Sequence, residues 1–529
     1  MFAPTLLHEF FIRSANLHPH KNALICGEER YTYRQIDIQS GMLADVLLNF
    51  GLKRQDRVVI FMDNVPEVVI SLFGILKAHG VFVILNGALK AKKLAYILKD
   101  SGAHVMITNT TKAAAVSEAV NLFEKDIKII WKGNSSDIPK ELIPVSLNWD
   151  SLLPTTSCEQ HIDATSRSTN IKYKTANNID LDLAALIYTS GSTGEPKGVM
   201  STHYNMISAA RSIIQYIENT EHDIILDVLP LSFDYGLYQV VMAFMFGGTV
   251  VLEKSFMFLH KVLERIEQEK ITGFPVVPTI LAMILNLKDV KKYNFDSLRY
   301  MSNTGAALPV EHIRKFRQLF PDVKFYSMFG LTECKRVCYL PPEELDKRPS
   351  SVGKPIPNCE VFIVDEEGKE VEPGVTGELI IRGANVTRGY WNAPELTAKY
   401  FKPGRFPGEM ILHSGDYFQR DSDGYLYFLG RKDDMIKSRG ERVSAKEVEN
   451  VIHEVPGVVE AAVIGIPDEI AGQAIKAFIV RDNDIHLTEK DIMKYCTDNL
   501  EPFAVPKFIE YVDKLPKTPH GKIDKKALV

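Results

Sequence analysis

Short apolar runs rich in β-branched residues alternate with helical patterns in the first half of the chain. This alternation limits the possible fold most strongly. The runs lie at residues 57–61, 104–108, 127–131, 183–189 and 247–253. Continuous apolar strands separated by helices are typical of a parallel sheet whose two faces are both covered. Because 529 residues exceed what one compact core normally serves, we expect at least two domains of α/β class.

The pattern changes twice toward the C-terminus. From about Gly353 the strands become shorter and turn sequences more frequent, which predicts a β-rich subdomain. From about Asp433 the order is helix, strand, strand, helix, which predicts a small α+β domain. We therefore expect a large N-terminal domain over residues 1–432, with parallel αβα-layered sheets plus the β-rich subdomain. A small C-terminal domain over residues 433–529 would follow it.

Charge and cysteine content exclude several classes of protein. The 62 basic and 67 acidic residues give a net charge of −5, so general binding to nucleic acid is not expected. The six cysteines form no CxxC pair, which argues against a zinc site or a disulfide framework. Lys77 and His79 interrupt the most apolar window, residues 68–85, which predicts a buried helix followed by a strand and no transmembrane segment. The N-terminus lacks the features of a signal peptide, so we predict a cytoplasmic protein.

The stretch YTSGSTGEPKG, Tyr188 to Gly198, has the composition of a phosphate-binding loop. Glycines let backbone N–H groups turn toward an anion, hydroxyls donate further hydrogen bonds, and a lysine adds a positive charge. Pro196 and Gly198 flank Lys197 and break the Walker A pattern, so a P-loop NTPase is a poor interpretation. From the loop alone, a flexible surface turn is an equally good hypothesis. The candidate phosphate contacts are Thr189, Ser190, Gly191, Ser192, Thr193, Gly194 and Lys197.

Six further segments follow this loop in order. They lie at residues 302–309, 326–333, 377–397, 413–417, 430–449 and 515–528. Together with the loop they resemble the motifs of the adenylate-forming superfamily of acyl-CoA synthetases, peptide-synthetase adenylation domains and luciferases. The resemblance covers essentially the whole chain. Within the superfamily the chain looks most similar to stand-alone bacterial acyl-CoA ligases and to ligases of the prolyl-carrier-protein type.

This resemblance implies a two-step reaction. A carboxylate attacks the α-phosphorus of ATP, with Mg²⁺ as cofactor, and gives an acyl-adenylate and pyrophosphate. A thiol then attacks the acyl carbon and releases AMP. The thiol belongs to CoA or to the phosphopantetheine of a separate carrier protein. A non-catalytic nucleotide-binding protein on the same fold is the alternative from another class.

The resemblance also implies a role for individual residues. Lys522 would bridge the substrate carboxylate and the α-phosphate, Thr332 would contact phosphate, and Glu333 would hold Mg²⁺. Asp416 would accept the ribose hydroxyls, with Arg431 close by. The remaining nucleotide contacts would be the 189–197 loop, Gly305, Met328 and Phe329. The small domain would be mobile and would rotate about Asp433, bringing the loop around Gly440 to the thiol side.

The stretch LPLSFDYGLYQ, residues 229–239, is the part of the sequence that indicates which carboxylic acid the enzyme activates. Many acyl-CoA ligases resemble this stretch but carry a histidine at the position of Phe233. The triplet ending in Asp234 instead resembles that of amino-acid-activating domains, in which the aspartate pairs with the substrate ammonium. Two alternatives stay open: Asp234 caps the following helix, or Lys335 and Arg336 pair with it or with a second acidic group.

The expected substrate pocket consists of Phe233, Asp234, Gly305, Gly330, Lys335 and Arg336. The acid is either a small amino or imino acid such as proline, or a fatty or other simple carboxylic acid.

Overall fold

The computed structural model describes most of the chain in two compact units. The described residues are 3–123, 126–153, 178–190, 195–305, 308–431, 435–438, 441–468, 472–482, 485–518 and 522–528. The first unit contains residues 1–274, 332–335 and 384–401. The second unit contains residues 275–331, 336–383 and 402–529.

The helices and strands are numbered in chain order over the described residues. The α-helices are α1 Leu7–Leu17, α2 Tyr33–Asn49, α3 Pro66–Lys77, α4 Ala91–Ser101, α5 Ala113–Phe123, α6 Trp149–Leu152, α7 His203–Ile217, α8 Asp234–Phe246, α9 Leu259–Gln268, α10 Pro278–Leu285, α11 Val310–Leu319, α12 Pro394–Tyr400, α13 Ala445–His453 and α14 Glu489–Asn499. The strands up to β12 are β1 Asn22–Cys26, β2 Glu29–Thr32, β3 Arg57–Met62, β4 Val81–Asn86, β5 Val105–Asn109, β6 Lys128–Lys132, β7 Ser146–Asn148, β8 Leu183–Ser190, β9 Pro196–Thr202, β10 Ile224–Asp227, β11 Thr249–Leu252 and β12 Gly273–Val276. The later strands are β13 Tyr300–Asn303, β14 Lys324–Phe329, β15 Cys338–Leu340, β16 Lys354–Pro355, β17 Cys359–Val364, β18 Gly377–Gly383, β19 Phe401–Pro403, β20 Met410–Arg420, β21 Leu426–Arg431, β22 Ile436–Ser438, β23 Glu441–Val443, β24 Val458–Asp468, β25 Gly472–Arg481 and β26 Phe508–Tyr511.

The first unit is built on parallel strands. One sheet has the order β7-β6-β5-β3-β4-β8-β9. Its neighbours are parallel from β7 to β8, and β8 and β9 form an antiparallel hairpin at the edge. In a second set of strands, β11 pairs in parallel with both β1 and β10. Buried apolar side chains of the strands and covering helices form the core, as expected for strands covered on both faces.

The second unit is richer in antiparallel pairing. β13 and β14 are parallel, whereas β15 and β16 continue from β14 in antiparallel fashion. β17, β18, β20 and β21 form an antiparallel set. In the C-terminal part, β24 and β25 form a long antiparallel pair to which β26 adds in parallel. Apolar side chains of α13 and α14 pack on this sheet and give it a core of its own.

The fold class expected from the sequence is confirmed. The five predicted strands of the first half are present as β3, β5, β6, β8 and β11. The window 68–85 forms most of α3 followed by most of β4. α13, β24, β25 and α14 reproduce the predicted order of the small α+β domain. The boundary at Asp433 and the mobility of this domain remain predictions, and Asp433 itself lies outside the described residues.

No helix in the described part of the chain combines the length and the apolar character needed to cross a membrane.

Two histidines are buried in the first unit at the start of the N-terminal helix. His203 begins α7 and is fully buried, and its Nδ1 accepts a hydrogen bond from the backbone N–H of Leu7 at 3.1 Å. His8 of α1 is 6% exposed. Burial lowers the pKa of His203 to about 4. Burial, reinforced by neighbouring cationic side chains, holds the pKa of His8 well below its usual range. Both rings are therefore neutral in the folded protein at neutral pH.

We expect acid to destabilise the protein through these histidines. In the unfolded chain a histidine takes up its proton near pH 6.5, so the unfolded state binds more protons as the pH falls below that value. For His203 the stability lost by pH 4 would be about 3 kcal/mol. In His203→Gln the free energy of unfolding should vary less steeply between pH 6.5 and 4, as measured by denaturant titration. His222→Gln, at a side chain 87% exposed, is the control, and an unchanged slope in His203→Gln would contradict the assignment.

Candidate active site

The candidate phosphate loop is the end of the β8–β9 hairpin in the first unit. Thr189 stands opposite Lys197 in the antiparallel register, and the next pair is Ser190 with Pro196. At Gly198 a side chain would come within 3.1 Å of the Tyr188 ring, which explains a glycine there. The predicted contacts Thr189 and Lys197 are thus directly opposite each other, and Ser190 is the next residue of β8. The others, Gly191, Ser192, Thr193 and Gly194, lie outside the described residues.

Residues 384–391, here called the bridging segment, pair with the second strand of this hairpin. The backbone N–H of Trp391 donates to the carbonyl of Gly198 at 2.8 Å. Met200 donates to Gly389 at 2.9 Å and accepts from Arg388 at 3.1 Å. Three main-chain hydrogen bonds therefore fix the bridging segment along β9. Because main-chain groups make them, they fix the register of the two segments.

The bridging segment also holds the segment 332–335. The N–H of Thr387 donates to the carbonyl of Glu333 at 2.9 Å. The Tyr390 hydroxyl donates to the Glu333 carboxylate at 2.6 Å, and the Asn385 amide donates to the carbonyl of Cys334 at 3.0 Å. Thr332 and Glu333 are thereby brought into one framework with the phosphate hairpin.

Asn205 anchors the start of the bridging segment. Its side-chain amide donates to the carbonyls of Ala384 at 2.9 Å and Val386 at 2.8 Å. Its side-chain oxygen accepts from the backbone N–H and hydroxyl of Thr202 in the capping box that begins α7. Since Thr202 ends β9, the same cap ties the hairpin strand, the helix and the bridging segment together.

The substrate stretch 229–236 is a tight turn at the carboxyl end of β10. The Asn64 amide donates to the carbonyl of Leu229 at 2.8 Å, and its oxygen accepts from the N–H of Leu231 at 3.0 Å. At Gly236 a side chain would meet the carbonyl oxygen of Pro230 at 2.6 Å. These contacts hold the start of α8 close against the turn. Ligands of open α/β sheets bind at the carboxyl ends of the strands, which fits a substrate stretch here.

Asp234 is the first helical residue of α8 and is 9% exposed. Phe233 is the N-cap residue, and the cap carries no side-chain hydrogen bond. The interpretation of Asp234 as the N-cap is therefore wrong. An acidic side chain in the first turn of a helix still interacts favourably with the helix dipole.

Lys335 lies in the first unit and is 3% exposed. Its ammonium donates to the carbonyl of Thr332 at 3.0 Å. Burial lowers the pKa of Lys335, while the carboxylates of Asp234 and Glu333 oppose this by stabilising the charged form. The pairing of Lys335 with Asp234 stays a prediction. Arg336, the next residue, is also buried but belongs to the second unit.

In the second unit, Asp416 lies in β20 opposite Arg431 of β21. Asp416 is 2% exposed, and Arg431 Nε lies 3.7 Å from its Oδ1. Gly415 has a positive φ of 70°, and its N–H donates to the Glu378 carboxylate at 3.1 Å. The Asp416 N–H donates to the Ser414 hydroxyl at 3.1 Å. The two residues expected at the ribose are thus adjacent.

Other expected nucleotide and substrate residues also fall in the second unit. Phe329 ends β14 and packs edge-on against Phe418 with ring centroids 4.9 Å apart. Met328 precedes it and is buried. Gly305 follows β13 with a positive φ of 90°, which favours glycine. Gly330 follows β14 directly.

Lys522 begins the last described segment, residues 522–528. The N–H of Thr518 donates to the carbonyl of Lys522 at 2.7 Å, and Lys517 forms an isolated bridge with Ile523. Ile523 packs against the apolar cluster formed around β24 and β25. The expected catalytic lysine therefore directly precedes a residue that packs against this cluster. Gly440 and Asp433, assigned to the thiol side and the hinge, lie outside the described residues.

The residues present fit a magnesium ion that is bound largely by substrate. Within the described residues no cluster of three or more His, Cys, Asp or Glu side chains could hold a metal. Mg²⁺ is usually held by one or two carboxylates together with water and substrate phosphates. Glu333, oriented by Tyr390, is a single carboxylate of the required kind.

Comparison with known proteins identifies the family. Residues 11–391 match the AMP-binding enzyme family, and residues 447–522 match the AMP-binding enzyme C-terminal domain. The chain is 30% identical to a long-chain-fatty-acid–CoA ligase of Escherichia coli O157:H7, over 99% of this chain and 94% of the relative. It is also 30% identical to tyrocidine synthase 2 of Brevibacillus parabrevis, over 99% of this chain but 14% of that protein. The crystal structure of the anthranilate CoA ligase AuaEII with anthranoyl-AMP superposes with a TM-score of 0.87 at 27% identity, covering 99% of this chain and 97% of that one.

The chain belongs to the AMP-binding enzyme family, the adenylate-forming superfamily expected from its motifs. It is an AMP-forming acid–thiol ligase that uses ATP and Mg²⁺, with CoA or phosphopantetheine as the acceptor.

Two site residues were missed by sequence reasoning. Tyr390 and Asn205 hold Glu333 and the bridging segment, respectively. Tyr390 falls in the segment 377–397, for which the resemblance implied no residue role, and Asn205 in a helix without a motif. The capping-box pattern at Thr202 was the available signal for Asn205.

We predict that Tyr390 orients Glu333, the expected magnesium ligand. Tyr390→Phe removes the 2.6 Å hydrogen bond and should lower ATP–pyrophosphate exchange about tenfold, with a higher Mg²⁺ concentration for half-maximal rate. Tyr400→Phe, at an aromatic neighbour of Tyr390, is the matched control. An unchanged Mg²⁺ dependence in Tyr390→Phe would show that the hydroxyl does not act through the metal.

Proposed function

We propose that this enzyme activates a carboxylic acid as its adenylate and transfers the acyl group to a pantetheine thiol. The observation that carries the proposal is the bridging segment, which holds the phosphate hairpin and Glu333 in one hydrogen-bonded framework. Such a framework suits a reaction that begins at the phosphates of ATP.

The first step brings two anions together. A carboxylate oxygen attacks the α-phosphorus, the new C–O–P linkage forms, and the bond to pyrophosphate breaks. Positive charge and fixed donors must offset the repulsion. Lys522 would bridge the carboxylate and the α-phosphate, Thr332 would donate to phosphate, and the hairpin around Lys197 would hold the departing pyrophosphate. Asp416, with Arg431 beside it, would hold the ribose.

The second step needs another arrangement. The thiol attacks the acyl carbon, a thioester forms, and AMP leaves with the bonding electrons. Lys522 would obstruct this approach, so we propose that the small domain rotates about Asp433. The loop around Gly440 would then face the thiol. Domain closure of this kind assembles two sites in sequence.

Two classes of acid are candidates. The triplet Ser232-Phe233-Asp234 and the burial of Asp234 favour a small amino or imino acid such as proline, whose ammonium would pair with the carboxylate. The full-length similarity to long-chain-fatty-acid–CoA ligases favours a fatty or other simple acid. The acceptor is CoA or a separate carrier protein. We also propose that the enzyme is cytoplasmic.

We predict acid-dependent exchange of pyrophosphate into ATP. A panel should contain proline and other amino acids, short and long fatty acids, and aromatic acids. One class should raise exchange at least tenfold over the reaction without acid. Thioester formation is then measured with CoA and with a phosphopantetheinylated carrier protein. If no acid in the panel raised the rate of ATP–pyrophosphate exchange, the proposed function would be wrong.

Lys522→Ala separates the two steps. Removing one charge that stabilises the transition state typically costs about a hundredfold to a thousandfold, so adenylate formation should fall by that factor. Transfer from a supplied acyl-adenylate to the thiol should be spared. Lys526→Ala, at an exposed lysine four residues on, is the control. Equal loss of both steps, with the variant folded, would contradict the assignment to the first step.

A further inference from the structure

Two buried polar side chains contact the backbone of the turn 229–236, here called the substrate turn. Asn64 is 6% exposed, and Asp227, the last residue of β10, is fully buried. Buried polar groups are expected to be hydrogen-bonded, because leaving one unpaired away from water is unfavourable. The hydrogen bonds of these two side chains go to main-chain groups, which gives them a direct influence on the path of the chain.

Asn64 connects three separate segments of the first unit. It follows β3, a strand of the seven-stranded sheet. Its amide nitrogen donates to the carbonyl of Leu229 at 2.8 Å and to that of Glu253 at 3.1 Å, and its oxygen accepts from the N–H of Leu231 at 3.0 Å. Leu229 and Glu253 lie just beyond the carboxyl ends of β10 and β11. Asn64 therefore ties two neighbouring strand ends to each other and to the segment after β3.

Asp227 holds the same turn at its first residue. Its Oδ1 accepts from the N–H of Leu229 at 3.1 Å, and its own carbonyl accepts from the N–H of Glu253 at 2.9 Å. Its Oδ2 is buried and has no hydrogen-bond partner in the described part of the chain. Burial holds the pKa of this carboxyl well above its usual range, so the protonated, uncharged form is favoured.

Together the two side chains engage successive polar groups of the substrate turn. The N–H and carbonyl of Leu229 and the N–H of Leu231 are all bound by them. The chain then closes the turn with a hydrogen bond from the N–H of Phe233 to the carbonyl of Pro230 at 2.9 Å and enters α8 at Asp234. The start of α8 is thus positioned by two side chains that lie outside the substrate turn.

We propose that Asn64 and Asp227 are positioning residues for the acid, which hold the substrate turn in the conformation that binds it. This inference rests on the proposed function, which places the acid against Phe233 and Asp234. The apparent affinity of a ligand falls in proportion to the fraction of protein whose binding site is formed. Loss of either side chain therefore raises KM for the acid, while kcat at saturating acid stays close to that of the wild type.

Asn64→Ala tests this through ATP–pyrophosphate exchange with the most active acid of the panel. KM for the acid should rise at least tenfold, whereas KM for ATP and kcat should stay within about twofold of the wild-type values. An unchanged KM for the acid together with a lower kcat would overturn the inference.

Asn148→Ala is the matched control. Asn148 lies in β7, at the edge of the seven-stranded sheet. It also binds main-chain groups, since its amide donates to the carbonyl of Gly133 at 2.9 Å and its oxygen accepts from the N–H of Asp150 at 2.8 Å. KM for the acid should not change in this variant. A rise equal to that in Asn64→Ala would mean that the effect is a general loss of structure and would overturn the inference.

Two substitutions of Asp227 differ only in whether the hydrogen bond to the turn can be kept. Asp227→Asn retains an oxygen for the N–H of Leu229 and, like the protonated carboxyl, carries no charge. Its KM for the acid should stay within about threefold of the wild type. Asp227→Ala leaves that N–H without its acceptor and should raise this KM at least tenfold. Equal KM values in the two variants would contradict the role of Asp227. The pair also tests the inference where Asn64→Ala does not fold.

A second measurement needs no substrate. Hydrogen–deuterium exchange of peptides covering residues 228–236 reports how often the substrate turn opens. Exchange there should be at least tenfold faster in Asn64→Ala, because the N–H of Leu231 loses its acceptor. Peptides of β5 should keep their protection, and Asn148→Ala should match the wild type over residues 228–236. Unchanged protection of the turn in Asn64→Ala would overturn the inference.

The outcomes separate the two proposals. If the wild type shows no exchange of pyrophosphate with any acid, the proposed function is wrong, and the hydrogen–deuterium exchange still decides whether the two residues hold the turn. If the wild type is active but neither Asn64→Ala nor Asp227→Ala raises KM for the acid, the function stands and the inference is wrong.

Discussion

Main-chain pairing between β9 and the bridging segment is the interaction on which the chemistry of the first unit depends. It connects the phosphate hairpin to Glu333 through backbone groups, whose register does not vary with side-chain rotamers. Tyr390 then orients the carboxylate, and Asn205 secures the segment to the cap of α7. Glu333 is thus placed by a frame of hydrogen bonds.

Much of the fold could be predicted because burial on both faces gives strands a distinctive composition. The runs at β3, β5 and β6 each have a continuous apolar centre and stand close to helices. The helices and strands of the small domain could be predicted for a similar reason, because α13 and α14 each present one apolar face to its sheet. The grouping of residues 332–335 and 384–401 with the first unit was not predictable. It depends on pairing between segments far apart in sequence, and no local pattern encodes that pairing.

Site residues that belong to a sequence motif could be predicted. Site residues whose role depends on the three-dimensional arrangement could be predicted less well. The hairpin, Glu333 and Asp416 were found from their motifs. The position of Asp234 within α8 was open, because a helix boundary can shift by one or two residues without a change in pattern. The burial of Lys335 could not be foreseen, since a lysine in a polar stretch is usually solvated. Tyr390 could not be predicted, because the resemblance implied no role for any residue of the segment 377–397.

The bridging segment also has a consequence for the order of folding. Asn205 and Ala384 are 179 positions apart in the chain. During synthesis the β8–β9 hairpin and its flanking strands emerge long before residues 384–391, and contacts of such long range form slowly. In a nascent chain the hairpin is therefore present for some time before the bridging segment is available to pair with it. A fragment that ends before Ala384 lacks the frame that orients Glu333, however well its parallel sheet has formed.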